Sequence, residues 1–132
     1  MVVTLVTAAL CGLLYVWLSW RVVQVRQSAK VSLGDGGDGR LLQRIRAHAN
    51  FAEYVPICLV LIFAIENSLE VSPPALWAAG LALVSVRCAH AYGMRIDGGN
   101  RWRVIGTAGT WAILAGLGIA ALLVAASYAF TT

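Results

Sequence analysis

The sequence has little charge, since Asp, Glu, Lys and Arg together make up 12% of its 132 residues. A soluble domain usually carries about 25% charged and about 45–50% apolar residues, whereas apolar residues form 60% of this chain. Lys and Arg outnumber Asp and Glu by ten to six, but so little polar surface excludes a soluble nucleic-acid-binding protein, which needs an exposed basic face. Intrinsic disorder is excluded as well, because it requires low hydrophobicity.

Cysteine is also scarce, and its placement excludes two further classes of protein. The three cysteines, Cys11, Cys58 and Cys88, each lie in an apolar stretch, and no two of them have Cys-x-x-Cys spacing. Such a small and scattered set excludes a disulfide scaffold. Metal ligation is not expected either, since no cysteine has a second ligand at the spacing that metal sites use.

Long apolar runs dominate what remains, and a membrane-spanning helix needs about 20 such residues. Residues 1–20 carry no charge and lack the basic segment and cleavage site of a signal peptide, so they predict a retained first span. The third span begins after Ser72, a predicted helix N-cap, where two prolines follow. The sequence predicts an all-α integral membrane protein, one four-transmembrane-helix bundle over residues 1–132, with spans at about residues 2–25, 39–67, 73–95 and 101–130.

The basic residues predict an orientation in the membrane. All ten lie between Arg21 and Arg46 or between Arg87 and Arg103, whereas the second connection, residues 66–74, contains two glutamates and no Lys or Arg. Cytoplasmic connections of membrane proteins are enriched in Lys and Arg. We therefore expect the first and third connections in the cytoplasm and both termini on the outer side.

A cluster of polar residues near the start of the second span is the strongest candidate for function, because charges inside membrane spans are costly. At about 100° per residue, Arg46, Asn50 and Glu53 fall on one stripe with Tyr54 beside it, while His48 points away. Arg46 and Glu53 are roughly 10 Å apart along the helix, too far for a direct ion pair. Two interpretations stay open: a pair with another helix or subunit, or a zwitterionic or dianionic ligand along the helix.

The third and fourth spans add further positive groups at the same membrane level. Arg87 and His90 share one helix face, although such an arginine can extend to the headgroups and such a histidine can be purely structural. Arg101 and Arg103 begin the fourth helix, whose N-terminus favours anions. Together with Arg46 these groups predict an anion site near the cytoplasmic side.

The fourth span is also rich in glycine and alanine, which let membrane helices approach one another closely. Its small residues are Gly106, Gly109, Ala112, Gly116, Gly118 and Ala120. Two interpretations fit this composition equally well. One is contact between subunits of an oligomer, and the other is close packing within a single bundle.

The run Arg46-Ala-His-x-Asn-x-x-Glu-Tyr-x-Pro56 resembles the MAPEG family, the membrane-associated proteins in eicosanoid and glutathione metabolism, and its short bacterial branch. The resemblance covers nearly the whole chain, including the four spans, the polar first connection and Arg-x-x-His in the third span. It implies a homotrimer in a bacterial inner membrane. Glutathione would be the cosubstrate, bound between neighbouring subunits near the cytoplasmic side.

The resemblance also implies roles for individual residues. One wall of the glutathione site would consist of Arg46, Asn50, Glu53 and Tyr54. Arg26 and His48 would come from the adjacent subunit, and His90 would contribute from the third helix. Arg87, one of the positive groups of the predicted anion site, is predicted to bind glutathione as well. Arg103, thirteen residues beyond His90, matches the arginine that activates the glutathione thiol and is the catalytic candidate.

The function implied by this resemblance is a glutathione transferase or peroxidase. Its second substrate would be a hydrophobic electrophile or a lipid hydroperoxide that arrives through the membrane. Three alternatives remain: a non-catalytic protein of the same fold that binds lipid or glutathione, a small proton-coupled transporter that uses Glu53, and a haem protein that uses His48 and His90. Two departures from some family members, Ala49 in place of an arginine and Met94 in place of a tyrosine, affect the expected substrate contacts.

Overall fold

The computed structural model describes residues 1–95 and 98–130, and all regular structure in these ranges is α-helical. The helices are α1 (Val2–Ala29), α2 (Gly39–Asn67), α3 (Pro74–Gly93) and α4 (Arg101–Ala129). All four are long and apolar enough to cross a membrane. The prediction of an all-α membrane protein with four spanning helices is confirmed.

The four helices pack as two antiparallel hairpins. α3 packs most extensively against α4 and α1 against α2, while α2 also contacts α3 and α4, and α1 contacts α3. Side chains from every helix meet in the core, which includes Cys11, Cys58, Ile62, Leu83 and Leu117. Many other large apolar side chains are exposed on the outside of the bundle, as expected for surfaces that contact lipid rather than water.

Helices α1 and α3 terminate at the same side of the bundle, where α2 and α4 begin. We call this side the basic end, because its connections and the adjoining helix turns contain all the Lys and Arg residues. Asp38 caps α2 there, and the hydrogen bond from the Leu41 backbone N–H holds the pKa of its carboxyl below the usual range. Asn100 caps α4: its Oδ1 accepts from the Arg103 backbone N–H at 3.1 Å, and its Nδ2 donates to the Gly93 carbonyl at 2.8 Å. Asn100 therefore joins the end of α3 to the start of α4.

Glu66 performs the corresponding task at the opposite end of the bundle. Its side chain is almost fully buried and accepts hydrogen bonds from the backbone N–H groups of Val3 and Thr4 at 2.9 and 2.8 Å. The Ser72 hydroxyl donates to the same carboxylate at 2.7 Å. Ser72 is therefore not the N-cap of α3, as the sequence predicted; that position is Pro73, which has no side-chain cap. Glu66 caps α1 from the end of α2 and fixes the second connection to both.

Glycine allows α3 and α4 to lie in close contact. A Cβ atom at Gly106 would collide with the backbone and Cβ of His90, and one at Gly109 would press on Val86. A Cβ at Gly116 would meet nothing within 4 Å. Gly106 and Gly109 therefore serve packing within the bundle, one of the two interpretations that the sequence left open.

We expect Glu66→Gln to destabilise the protein by about 1–3 kcal/mol, because the NH₂ group that replaces one carboxylate oxygen cannot accept from the buried donors that face that oxygen. Thermal unfolding of the detergent-solubilised protein, followed by circular dichroism, measures this effect. Glu70→Gln is the matched control, since Glu70 is exposed in the same connection and should change stability by less than about 0.5 kcal/mol. Equal unfolding temperatures for the two variants would contradict the role of Glu66.

We expect Gly106→Ala to destabilise the bundle by about 1–3 kcal/mol, because the added methyl group overpacks the contact between α4 and α3. Gly116→Ala adds the same methyl group on the same helix where the chain leaves open space. The measurement is again thermal unfolding in detergent. If both alanine variants unfold at the temperature of the parent protein, the close approach at Gly106 does not contribute to stability.

Candidate functional site

Arg87 is the centre of the polar residues inside the bundle. Its side chain is only 1% exposed, so it does not extend to the headgroups. Its Nη2 donates to Oδ1 of Asn50 on α2 at 2.9 Å, and its Nη1 donates to Oγ1 of Thr110 on α4 at 3.3 Å. Nη2 also lies 3.2 Å from Nδ1 of His90, one turn along α3. Arg87 therefore connects three helices through neutral partners.

These contacts fix how Asn50 and His90 present their remaining polar atoms. A guanidinium group can only donate, so the amide oxygen of Asn50 faces Arg87 and its NH₂ group is directed away. For the same reason Nδ1 of His90 accepts, and a neutral ring carries its proton on Nε2. Within residues 1–95 and 98–130, neither Asn50 Nδ2 nor His90 Nε2 donates a hydrogen bond. Arg87 therefore leaves both groups available as donors to a ligand.

Arg46 and Glu53 are both exposed on the surface of α2, and Tyr54 beside them is partly buried. The ion pairs within the described part of the chain involve Glu66 and Asp38 as the acidic partners, so neither Arg46 nor Glu53 is paired there. Arg46 and Glu53 therefore do not form an ion pair with each other within one chain. Both charges remain directed outward from the protomer.

Arg103 lies in the first turn of α4 and is exposed. Its side chain lines an open cavity of about 400 Å³ formed by the end of the α3–α4 connection and by α4 residues that include Thr107 and Trp111. No residue of α2 lines this cavity. A single chain therefore brings Asn50, Arg87 and His90 together, but it does not place Arg103 in one cavity with Arg46 and Glu53.

Arg26 and His48 have partners within their own chain. Arg26 Nη1 donates to the Gly34 carbonyl at 2.8 Å and so holds the α1–α2 connection. The His48 ring is stacked on Tyr15 at 4.5 Å between ring centroids, and its Nε2 lies 3.0 Å from Ser19 Oγ. Because the Ser19 hydroxyl donates to the Tyr15 carbonyl, Nε2 is the donor to Oγ. The contributions of Arg26 and His48 to a neighbouring subunit stay predictions.

Thr110 also belongs to this polar cluster, although it is not among the site residues predicted from the sequence. It is fully buried, accepts from Arg87 and donates to the Gly106 carbonyl at 2.7 Å. Its only signal in the sequence is its position one turn after Gly106 on the glycine-rich face of α4. An isolated threonine of this kind commonly bonds to its own helix, so the contact with Arg87 could only be found in three dimensions.

An apolar cavity of about 250 Å³ lies between α1 and α2. Its walls include Cys11, Tyr15, Phe51, Val55 and Pro56. Phe51 and Val55 belong to the same segment of α2 as Asn50 and Glu53. The cavity thus adjoins the polar segment of α2 and has the chemistry to accommodate an acyl chain or another hydrophobic molecule.

Comparison with known proteins agrees with the four-helix membrane architecture. The model of the MAPEG family matches residues 4–123. Inner membrane protein YecN of Escherichia coli strain K12 is 37% identical over 113 residues, which cover 81% of this chain and 80% of that protein. The YecN protein of Escherichia coli O6:H1 matches with the same identity and coverage. The name of these relatives gives a location and no activity. On the family match and this shared sequence, the chain belongs to the MAPEG family.

Proposed function

We propose that the protein is a glutathione-dependent membrane transferase or peroxidase that acts as a homotrimer, with sites between neighbouring protomers. The proposal rests on the outward-facing charges of Arg46 and Glu53 on an apolar helix, neither of which forms an ion pair within residues 1–95 and 98–130. A charge at the centre of a spanning helix costs about 2.5–3.5 kcal/mol on insertion scales. Glu53 lies at the middle of α2, so its charge favours a polar partner from outside the protomer, and Arg46 lies about two turns away on the same stripe. A ligand with both signs of charge, enclosed by a second protomer, supplies a partner for each.

Glutathione has the groups that these side chains require: two carboxylates, one ammonium group and one thiol. In the proposed site Glu53 binds the ammonium group, and Arg46 binds a carboxylate through its two parallel N–H donors. Asn50 donates through the amide nitrogen that Arg87 leaves free. The burial of Arg87 favours a positioning role for this residue, which orients Asn50 and His90, over direct contact with glutathione.

Arg103 is the proposed activating residue. A guanidinium group at the N-terminus of α4 stabilises a thiolate more than a thiol and so lowers the pKa of a bound glutathione thiol. Since no α2 residue lines the Arg103 cavity of its own chain, we propose that the α2 stripe of a neighbouring protomer faces it. The trimer then completes the site, because each protomer supplies one wall.

Two reactions are open to the activated thiolate. With an electrophile, the sulfur forms a bond to carbon and the leaving group departs with the electron pair. With a lipid hydroperoxide, the thiolate attacks the terminal oxygen, the O–O bond breaks, and the alkoxide takes up a proton to become an alcohol. The sulfur keeps the terminal oxygen and becomes a sulfenic acid. A second glutathione then reduces this sulfenic acid to give glutathione disulfide and water. The apolar cavity between α1 and α2 is the proposed entry for the hydrophobic substrate.

We further propose that the protein lies in a bacterial inner membrane, with the basic end in the cytoplasm and both termini outside. The distribution of Lys and Arg favours this orientation, and the relatives from Escherichia coli are named inner membrane proteins. The proposed site, at the basic end, would then open towards the compartment in which glutathione keeps thiols reduced.

The catalytic proposal predicts that Arg103→Ala lowers turnover about tenfold or more at neutral pH, while glutathione affinity is largely kept. One pKa unit changes the thiolate fraction about tenfold, so the activity of the variant should approach that of the parent protein as pH rises and the thiol ionises unaided. The assay uses detergent-purified protein with glutathione and either an aryl halide or cumene hydroperoxide. Calorimetric titration with glutathione measures binding separately.

Arg101→Ala is the matched control for Arg103, since Arg101 is exposed in the same helical turn and stacks on Trp102. It should keep both turnover and the pH profile. Parallel loss of turnover and affinity in Arg103→Ala, at every pH, would assign Arg103 to binding rather than to thiol activation. A parent protein that binds glutathione but shows no turnover with either substrate would favour the non-catalytic alternative.

The binding proposal predicts that Glu53→Gln weakens glutathione affinity about tenfold or more, because a hydrogen bond between charged groups is lost. A glutathione analogue without the amino group should bind the parent protein and Glu53→Gln equally well. Glu70→Gln is the control: Glu70 lies at the end of the bundle opposite the basic end, so its replacement should not change glutathione affinity. Unchanged glutathione affinity in Glu53→Gln would remove Glu53 from the site, and proton flux in liposomes that depends on Glu53 would instead indicate a transporter.

A further inference from the structure

Three arginines from three segments of the chain line one cavity at the basic end. Arg21 belongs to α1, Arg44 to α2, and Arg95 follows the end of α3, around a volume of about 300 Å³. We call this the three-arginine cavity. Its remaining walls are formed by Trp17, Trp20, Gln24 and Val25 of α1.

Two of these arginines hold donors that no group in residues 1–95 and 98–130 satisfies. Arg21 is 7% exposed and stacks over Trp17, with 4.4 Å from its guanidinium carbon to the ring centroid. Its Nη1 makes one long hydrogen bond, 3.4 Å, to the Ala91 carbonyl in the last turn of α3, and its Nη2 is buried without a partner. Nη1 of Arg44 is buried and unpartnered as well. Buried charges without acceptors are costly, and an anion bound in the cavity would lower that cost through its attraction to the guanidinium groups that line it.

The cavity also lacks a counter-ion in the part of the chain that the structure describes. No carboxylate in residues 1–95 and 98–130 forms an ion pair with Arg21, Arg44 or Arg95. Arg44 and Arg95 lie close enough to repel each other. A group of like charges around one cavity favours an anionic ligand, which would both remove the repulsion and accept the free hydrogen bonds.

The three-arginine cavity is separate from the proposed glutathione site. None of the residues that line it belongs to that site. Arg44 precedes Arg46 by two residues on α2, which directs the two side chains about 200° apart around the helix. α2 thus presents one arginine to each of two different regions, and an anion in the cavity does not depend on glutathione binding.

The surroundings of the cavity indicate where its anion comes from. Trp17 and Trp20 are 40% and 56% exposed, and tryptophans on spanning helices typically lie at the level of the lipid headgroups. Exposed apolar side chains of α1, Val16 and Val23, continue that surface and can contact acyl chains. Basic pockets between spanning helices are known to bind anionic headgroups. We propose that the three-arginine cavity binds the phosphate group of an anionic phospholipid.

A lipid titration of the full-length protein in uncharged detergent tests this proposal, with bound lipid counted by native mass spectrometry. The probes are phosphatidylglycerol, phosphatidylcholine with the same acyl chains, and inorganic phosphate. We expect phosphatidylglycerol to bind about fivefold or more tightly than phosphatidylcholine, because the latter brings a positive charge to the arginines. Arg44→Gln and Arg95→Gln should each lower phosphatidylglycerol affinity about fivefold, the effect of one basic residue at a membrane surface.

Arg101→Gln is the matched control, because Arg101 is an exposed arginine at the same end that does not line the cavity. It should bind phosphatidylglycerol like the parent protein. Arg95 is exposed, so its variant is expected to fold, and circular dichroism verifies that each variant does. Three results would overturn the proposal: parental phosphatidylglycerol affinity in both Arg44→Gln and Arg95→Gln, inorganic phosphate binding as tightly as the lipid, or displacement of the lipid by glutathione.

Discussion

The polar interior of this bundle is organised around one buried guanidinium group, whose two terminal nitrogens contact polar groups on three helices. Arg87 has no carboxylate partner in the described part of the chain, and its hydrogen bonds go to an amide, a hydroxyl and an imidazole on three helices. A buried cation without such acceptors would be severely destabilising. Asn50, Thr110 and His90 are therefore held in fixed orientations, and the close α3–α4 contact at Gly106 carries Thr110 to within reach of Arg87.

The architecture was predictable because lipid imposes a simple rule on sequence. A helix must satisfy its own backbone groups across the hydrocarbon, so four long stretches of low charge predict four helices. Helix ends are harder to predict, because a side chain near a helix end can form its hydrogen bonds with other groups, as Ser72 shows. Its position before Pro73 and Pro74 is typical of an N-cap, yet its hydroxyl donates to Glu66. An N-cap side chain accepts from the N–H groups of the helix end, whereas the Ser72 hydroxyl acts as a donor, because the Glu66 carboxylate can only accept. That carboxylate is buried through the contact of α2 with the start of α1, which is not visible along the sequence.

The candidate site was predictable in part. Helical periodicity tells which residues of one helix share a face, but it does not tell which residues of other helices or subunits lie beside them. Helical spacing places Arg46 and Glu53 on one stripe of α2, since that needs only the angle per residue, and the structure adds that both side chains are exposed. Spacing cannot decide whether Arg87 extends to the headgroups or faces inward, because the answer depends on Thr110 of another helix. Spacing along one chain also cannot describe a site whose walls come from two protomers. The separation of Arg103 from the α2 stripe within one protomer is what the proposed trimer explains.

The same basic residues favour one orientation in the membrane and are proposed to bind glutathione and a phospholipid. An experiment on either binding site must therefore distinguish loss of binding from a change of orientation. Lys and Arg at the basic end favour its cytoplasmic location, while Arg44 and Arg46 on opposite sides of α2 are proposed to bind two chemically different anions. The orientation signal is a sum over many residues, so replacement of one arginine leaves nine of the ten basic residues on the same connections. A binding site depends instead on the geometry of individual guanidinium groups. Loss of one ligand in a single-arginine variant, with the other ligand still bound, therefore reports on a site and not on the orientation of the protein.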